Sequence, residues 1–377
     1  MKTILPQKYE FSSEDINFVL SNFKELLENR SYLTMSSYCE EFEKSFCQYL
    51  GCRFAISVSS GTAALEIILR YLRVNGYEVI VPTNTAPPTV FAVMAAGGIP
   101  VFADCQQDMT IDPDDVKSRI TPRTRAIITV HVGGMVSPST YELVDLCNQK
   151  GIPLIEDAAH AHGCMLGDQK AGTFGIAAAF SFFSTKVMTT GEGGMIVTSD
   201  ENLHQKASIL RNHSKVPGKG NYHEEFGYNW RMTEIQALLG LTQLKRLDEF
   251  ILRRNQIASI YTNILASCSE LKPLIVPENV KHNYYKCIFF LAETINRQKF
   301  QNLLKERFNI ILSGYVWELP CHKQPVFKVY ASGELLLAEQ LCNHHICPPI
   351  YYSLTDSEVE YVSNSILESI SILQHDN

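Results

Sequence analysis

Between residues 54 and 200, short apolar runs alternate with stretches whose apolar positions recur at helical spacing. Runs at 54–58, 78–81, 100–103 and 126–130 predict strands, and 61–74, 87–96, 112–120 and 140–150 predict helices. Further runs at 152–156, 177–182 and 194–198 predict three more strands. The boundaries carry their own chemistry. Gly97-Gly98 and Gly151 stop two helices, and Asp112 caps a third with Pro113 at its first position. Strand-helix alternation of this kind predicts an α/β fold with a mainly parallel sheet covered on both faces.

After residue 200 the pattern changes. Residues 233–265 read as one long helical stretch, opened by a capping box at Thr233-Glu234-Ile235-Gln236 and bridging to a C-terminal domain. There 282–291 predicts a strand, 297–306 a helix, 332–342 a helix with Ser332 as N-cap, and 356–373 a closing helix. No internal repeat or low-complexity linker interrupts the chain. Its 377 residues exceed what one core of about 250–300 residues serves, so two domains are expected.

Charge narrows the partners. A net charge of −7, a pI near 5.9 and no Lys/Arg run longer than a pair argue against nucleic acid or an anionic membrane, and for a small-molecule ligand. No apolar run is long enough to cross a bilayer, and the first 23 residues hold Glu10, Glu14 and Asp15 in place of a signal-peptide core. A cytoplasmic protein is expected. Eleven cysteines without any Cys-x-x-Cys read as reduced thiols, not as a disulfide framework or zinc ribbon.

Two central segments carry the chemistry: Glu156-Asp157-Ala158-Ala159-His160-Ala161-His162-Gly163, and Ser181-Phe182-Phe183-Ser184-Thr185-Lys186 running into Gly191-Glu192-Gly193-Gly194. Asp157 ends an apolar strand, where open parallel sheets bind ligands, and a carboxylate there can keep a pyridine nitrogen protonated. The bland alternative is a helix cap. A lone lysine is as a rule a solvated charge. Lys186 becomes a candidate to bond an aldehyde because apolar residues, the Ser181 hydroxyl and a glycine turn surround it.

Ser59-Ser60-Gly61-Thr62-Ala63-Ala64-Leu65 sets small residues where a strand turns into a helix, which makes either an anion site or an ordinary N-cap. It lacks both the P-loop lysine and Gly-x-Gly-x-x-Gly, so ATP and dinucleotides find no support. His160, His162 and Cys164 alternate and raise a metal reading, but no second cluster completes a site and no metal is assigned; His344-His345-Ile346-Cys347 is a poorer candidate still. Asn229, in Gly227-Tyr228-Asn229-Trp230-Arg231-Met232, is either a loop and cap residue or a phosphate donor. His322, in Pro320-Cys321-His322-Lys323-Gln324-Pro325, is a candidate substrate contact.

In this order, Phe42-Glu43-Lys44, Ser60-Gly61-Thr62-Ala63-Ala64-Leu65, Pro100-Val101-Phe102-Ala103-Asp104, Glu156-Asp157-Ala158-Ala159-His160, Phe180-Ser181-Phe182, Gly227-Tyr228-Asn229 and Arg231-Met232 span nearly the whole chain. The ordered set resembles the DegT/DnrJ/EryC1/StrS family of pyridoxal-phosphate sugar aminotransferases. The resemblance implies fold type I, aspartate-aminotransferase-like: a three-layer αβα large domain with an N-terminal arm over 1–245, and a smaller α+β domain over 246–377. It implies that Lys186 bonds the cofactor aldehyde and shuttles the proton, that Asp157 pairs with the pyridine nitrogen, and that His160 contacts the ring's hydroxyl side. Gly61, Thr62 and Ser181 would bind the phosphate, with Asn229 added from the second subunit of a homodimer with shared active sites.

Three positions depart from the family pattern. An aromatic residue often follows Asn84-Thr85 and covers the cofactor ring, whereas Ala86-Pro87-Pro88 stands here. Glycines are also frequent where Ser36 or Ser37 and Ser214 stand. The expected reaction is transfer of an amino group, from glutamate, to a nucleotide-linked keto-sugar by a ping-pong mechanism. The alternatives are a keto-cyclitol acceptor of the aminoglycoside type, a dehydratase relative, which Lys186 opposes since those carry histidine there, and a cofactor-binding regulator, which would usually carry a DNA-binding extension. From a different class, a metal-dependent hydrolase using His160 and His162 is the rival.

Overall fold

The computed structural model describes residues 3–29 and 32–375. Its central sheet has seven strands: β1 (Phe54–Val58), β2 (Glu78–Pro82), β3 (Ile99–Ala103), β4 (Thr124–Val130), β5 (Leu154–Asp157), β6 (Ala177–Ser181) and β7 (Gly194–Thr198). The spatial order is β1-β7-β6-β5-β4-β2-β3, with β7 antiparallel to both neighbours and the remaining pairs parallel. Twelve α-helices are described: α1 (Ser13–Glu28), α2 (Ser37–Leu50), α3 (Gly61–Tyr71), α4 (Pro87–Ala95), α5 (Pro113–Arg119), α6 (Thr140–Lys150), α7 (Glu201–Leu210), α8 (Glu234–Lys245), α9 (Leu247–Leu265), α10 (Arg297–Phe308), α11 (Leu336–His344) and α12 (Asp356–His375).

The apolar runs form strands because both faces of the sheet are covered. Along β4, Ile127 packs with Leu143 and Leu146 of α6, while its neighbour Ile128 packs into the cluster holding Ile68 of α3 and Val90 of α4. Successive side chains on a strand point to opposite faces, so an unbroken apolar run is what a doubly covered strand requires. The same alternation separates two adjacent acids. Glu156 turns into the interior, where it accepts from the N–H groups of Gly172, Phe174 and Gly175 and pairs with His131 at 2.8 Å. Asp157, the last residue of β5, is left at the carboxyl edge of the sheet.

A second core gathers α9, α10 and α12 against a three-stranded antiparallel sheet of Leu271–Pro273, Phe289–Leu291 and His345–Ile346. Ile4 joins this core by bridging to Ile310.

Some sequence expectations differ from the structure. The helix expected over 233–265 is two helices, because Arg246 leaves helical geometry (φ −105°, ψ 3°) between α8 and α9; its guanidinium bonds Asp15 and Glu249. The capping box at Thr233 and Gln236 is present. The strand expected over 282–291 forms only at Phe289–Leu291. Ahead of it Tyr284 is left-handed (φ 49°), and His282 Nδ1 and Asn283 Oδ1 accept from the N–H groups of Tyr284 and Tyr285, replacing ladder bonds. Ser332 caps no helix, since α11 starts at Leu336 and its first N–H groups are taken by Asp104, 233 residues away. Helices α1, α2 and α7 were not anticipated.

Candidate active site

The carboxyl ends of the parallel strands converge on one cleft of about 270 Å³, lined by Ser60, Gly61, Thr62, Asp157, His160, Ser181 and Lys186, together with Ala86, Pro88, Thr89, Glu192 and Trp317. Open parallel sheets bind ligands at this edge. Six of the sequence-expected residues, Gly61, Thr62, Asp157, His160, Ser181 and Lys186, thus share one wall system.

At its floor, α3 begins against the ends of β6 and β7. Ser60 is the N-cap and its hydroxyl accepts from Ala63 N–H, while Gly61 and Thr62 occupy the first turn, whose N–H groups have no intrahelical acceptor. The approach is close enough to exclude side chains. A Cβ on Gly61 would lie 2.9 Å from Ser181 Cβ, and one on Gly194 would lie 2.4 Å from the Ser60 carbonyl carbon. Backbone N–H groups, the positive end of a helix dipole and the Ser181 hydroxyl thus meet at one end of the cleft, an arrangement chemically suited to an anion.

Asp157 is 6% exposed, and its carboxylate accepts from Thr89 Oγ1 at 2.8 Å and from Ala159 N–H at 3.2 Å. Burial raises its pKa, and Thr89, Ala159 N–H and the Lys186 charge only partly offset this. Lys186 lies in a loop closed on itself: Phe182 N–H donates to Gly193, Thr190 N–H to Phe182, and Lys186 N–H to Phe183, with Gly191 left-handed at φ 81°. The lysine ammonium stands 4.8 Å from the Tyr285 ring centre.

His160 is stacked between two rings, Tyr285 at 4.2 Å and Trp317 at 5.2 Å. Burial and the charges of Lys186 and Lys286 push its pKa well below the ordinary histidine value, so it is a neutral imidazole, and its Nδ1 has no partner. For Tyr285 burial raises the pKa, but the charges of Lys186 and Lys286, the hydrogen bond to Thr185 and the Arg254 charge together outweigh it and the phenol is lowered. Asn283 fixes this group by donating to the carbonyls of His160 and His162 at 2.8 and 2.9 Å.

Other expected residues lie elsewhere. His162 packs between Phe180 and Phe182, away from the cleft that His160 lines, and Cys164 Sγ donates to Gly134. Both nitrogens of His322 are engaged inside its own chain, with Thr83 at 2.6 Å and Glu339 at 3.0 Å. Asn229 is exposed and bridges to Asn212, outside the cleft of its own chain. Ser36 is extended and needs no glycine, whereas Ser214 sits left-handed at φ 55°, where glycine is favoured. Thr89, Tyr285, Asn283 and Trp317 were missed; none stands in a motif, and only Trp317, as an aromatic near His322, offered any signal.

The sequence profile of the DegT/DnrJ/EryC1/StrS aminotransferase family matches residues 14–367. The chain belongs to this family. The aminotransferase is 33% identical to the GDP-perosamine synthase of Vibrio cholerae over 87% of this chain and 90% of that one. It is 32% identical to the dTDP-3-amino-3,4,6-trideoxy-alpha-D-glucose transaminase of Micromonospora megalomicea subsp. nigra, over 90% and 91%. Among solved structures, S. venezuelae DesV in complex with a ketimine intermediate superposes with TM-score 0.90 at 28% identity, covering 98% of each chain. The aminotransferase is thus a sugar aminotransferase of fold type I. The family, together with the PLP form of Spr1654 from Streptococcus pneumoniae (25% identical, TM-score 0.91, covering 99% and 100%), indicates pyridoxal phosphate as its cofactor. The cleft fits that group: it offers the first turn of a helix at Gly61 and Thr62, a buried carboxylate, a lysine and a histidine nitrogen without a partner. Among the described residues, no helix is long and apolar enough to cross a membrane.

Proposed function

We propose that this aminotransferase moves an amino group from glutamate onto a keto-sugar carried on a nucleotide, in two half-reactions run in the cleft between Asp157 and Lys186. The observation that carries the reading is the convergence of Gly61, Thr62, Asp157, His160, Ser181 and Lys186 on that cleft. Two relatives, a GDP-perosamine synthase and a dTDP-sugar transaminase, support the nucleotide carrier.

When bound, pyridoxal phosphate supplies an aldehyde that carries the amino group and a ring that takes up the electron pair released at the substrate carbon. Lys186 Nζ provides the amine for that aldehyde and, once released, takes and returns the proton at the substrate carbon. Asp157 holds a proton on the ring nitrogen. Burial disfavours its carboxylate when alone, and a cationic ring restores it by supplying the opposite charge in a site of low dielectric. Thr89 and Ala159 N–H aim the carboxylate. Gly61, Thr62 and Ser181 would hold the phosphate, and neutral His160 would offer its unpartnered Nδ1 to the ring hydroxyl. Asn229 would complete the phosphate site of the second subunit in a homodimer with shared active sites.

The test is direct. The purified enzyme should show a visible absorbance band that borohydride abolishes, Lys186→Ala should lack it, and glutamate with a panel of nucleotide keto-sugars should yield an amino-sugar. Turnover by Lys186→Ala would refute the lysine's role, and glutamate-dependent turnover of keto-cyclitols alone would refute the carrier. For the dimer, heterodimers pairing Lys186→Ala with Asn229→Asp should regain one intact site. Inactive heterodimers would show that Asn229 serves its own chain.

A further inference from the structure

A cleft of about 270 Å³ is small for what the proposed reaction asks of it. Pockets for a single drug-sized ligand run from roughly 300 to 1,000 Å³, and here a cofactor and an acceptor must meet. The part of the acceptor remote from its ketone has to lie elsewhere.

A second cavity of about 560 Å³ adjoins the cleft, lined by Thr85, Pro87, Arg297, Glu318, Gln324 and Asn343 among others. Trp317 lines both. The turn into α4 is shared in alternation: Ala86 and Pro88 face the cleft, Thr85 and Pro87 the second cavity. Because that turn carries only small and cyclic side chains, the bulk of the partition between the two spaces is the Trp317 indole.

The indole is held on one side by its flat contact with His160, at 5.2 Å and 21°. Its Nε1 is buried and has no hydrogen-bond partner. A buried tryptophan N–H normally finds one, so this orientation is disfavoured relative to one in which the N–H is met. The backbone beside it is anchored, with Val316 N–H donating to His345 Nε2 at 2.9 Å, so the freedom lies in the side chain.

We propose that Trp317 is an acceptor-specificity residue: its indole closes the reaction cleft against the second cavity, and yields to an acceptor long enough to span both, whose oxygen its N–H then bonds. The second cavity receives the carrier portion, an anionic nucleoside diphosphate, on the side of the Arg297 guanidinium and the amides of Gln324 and Asn343, away from the Glu318 carboxylate. This rests on the nucleotide-carrier reading above. An acceptor without a carrier would leave the partition shut and the N–H unmet, so selection for length is built into one side chain.

The chain has two tryptophans, so Trp230→Phe makes Trp317 the single emitter. The holoenzyme of that variant is titrated with UDP, GDP and dTDP, following emission. Trp317→Phe, which keeps a ring and loses the N–H, is then compared with wild type in each half-reaction separately. The expected result is a saturable emission change with at least one diphosphate. Trp317→Phe should raise the acceptor KM about tenfold, the loss of one hydrogen bond, and slow the acceptor half-reaction clearly more than the glutamate one. Binding of a diphosphate with unchanged Trp317 emission, and normal acceptor KM in Trp317→Phe, would overturn the role of Trp317 and leave the carrier reading standing. Equal slowing of both half-reactions would also overturn it, by assigning Trp317 to the cofactor. Failure of all three diphosphates to bind the wild-type holoenzyme removes the carrier reading, and the proposal with it.

Discussion

Replacing Asn283 by alanine should both destabilise the protein and loosen its active site. The side chain is fully buried and makes three bonds to backbone: Nδ2 donates to the carbonyls of His160 and His162, and Oδ1 accepts from Tyr285 N–H at 2.8 Å. Alanine leaves all three groups without their partner, at about 1–3 kcal/mol each. Even at the low end the loss is about 3 kcal/mol, a large share of a typical net stability of about 5–15 kcal/mol. For a chain of 377 residues a thermal midpoint lower by at least about 4 °C follows. Because the same bonds hold the His160 turn and the Tyr285 ring together, cofactor retention on gel filtration should fall as well. Asn283→Asp sharpens the test. It keeps the acceptor for Tyr285 N–H but sets a carboxylate against two carbonyl oxygens, which raises its pKa. It should be no more stable than the alanine variant at neutral pH and gain on it as pH falls and the carboxyl protonates into a donor. A midpoint within about 1 °C of wild type for Asn283→Ala, or wild-type stability for Asn283→Asp at neutral pH, would show that these three bonds do not hold the segments together.

Gly194→Ala should dislodge the start of α3, because the new Cβ would meet Ser60 and Gly61 backbone that cannot rotate away; stability should drop by about 1–3 kcal/mol and cofactor affinity with it, and unchanged affinity would place the phosphate elsewhere. Asp157→Asn should still bind the cofactor, read by equilibrium dialysis, yet slow both half-reactions by about 10²–10⁴-fold, and near-normal rates would remove Asp157 from the ring nitrogen. Burial pushes His162 and His282 down to about 3 and His345 to about 4. Their unfolded forms take up protons near pH 6.5 while the folded ones do not, so this contribution to stability is complete above that pH and is lost as pH falls toward the folded values. At pH 5 each would have cost about 2 kcal/mol, and a urea midpoint that stays level between pH 7 and 5 would contradict it.

The strands of the central sheet were legible because a doubly covered sheet demands unbroken apolar runs, and Asp157 and Ser181 were legible because they end two of them. Residues 282–288 were not. The apolar and aromatic run there has strand composition, but the polar atoms of His282 and Asn283 take up the neighbouring N–H groups, and that competition is invisible without the fold. The Asp104 cap on α11 and the stacking of Tyr285 and Trp317 on His160 depend on contacts between distant segments, which no local pattern encodes. Ala86 stands where the family often has an aromatic, and the structure brings Trp317, from a segment over 200 residues later, to line the same cleft.

The central claim is that Lys186 is the residue that bonds the cofactor. A second lysine, Lys286, is buried near the same Tyr285 ring, 5.5 Å from its centre compared with 4.8 Å for Lys186, but its amine donates to Ser313 and it does not line the cleft, so it serves as the internal control. The holoenzyme should be reduced with borohydride, digested, and the phosphopyridoxyl-bearing peptide sequenced by mass spectrometry. The adduct is expected on Lys186 alone, stoichiometric with chains; an adduct on Lys286, or no adduct in a yellow holoenzyme, would remove Lys186 from this role.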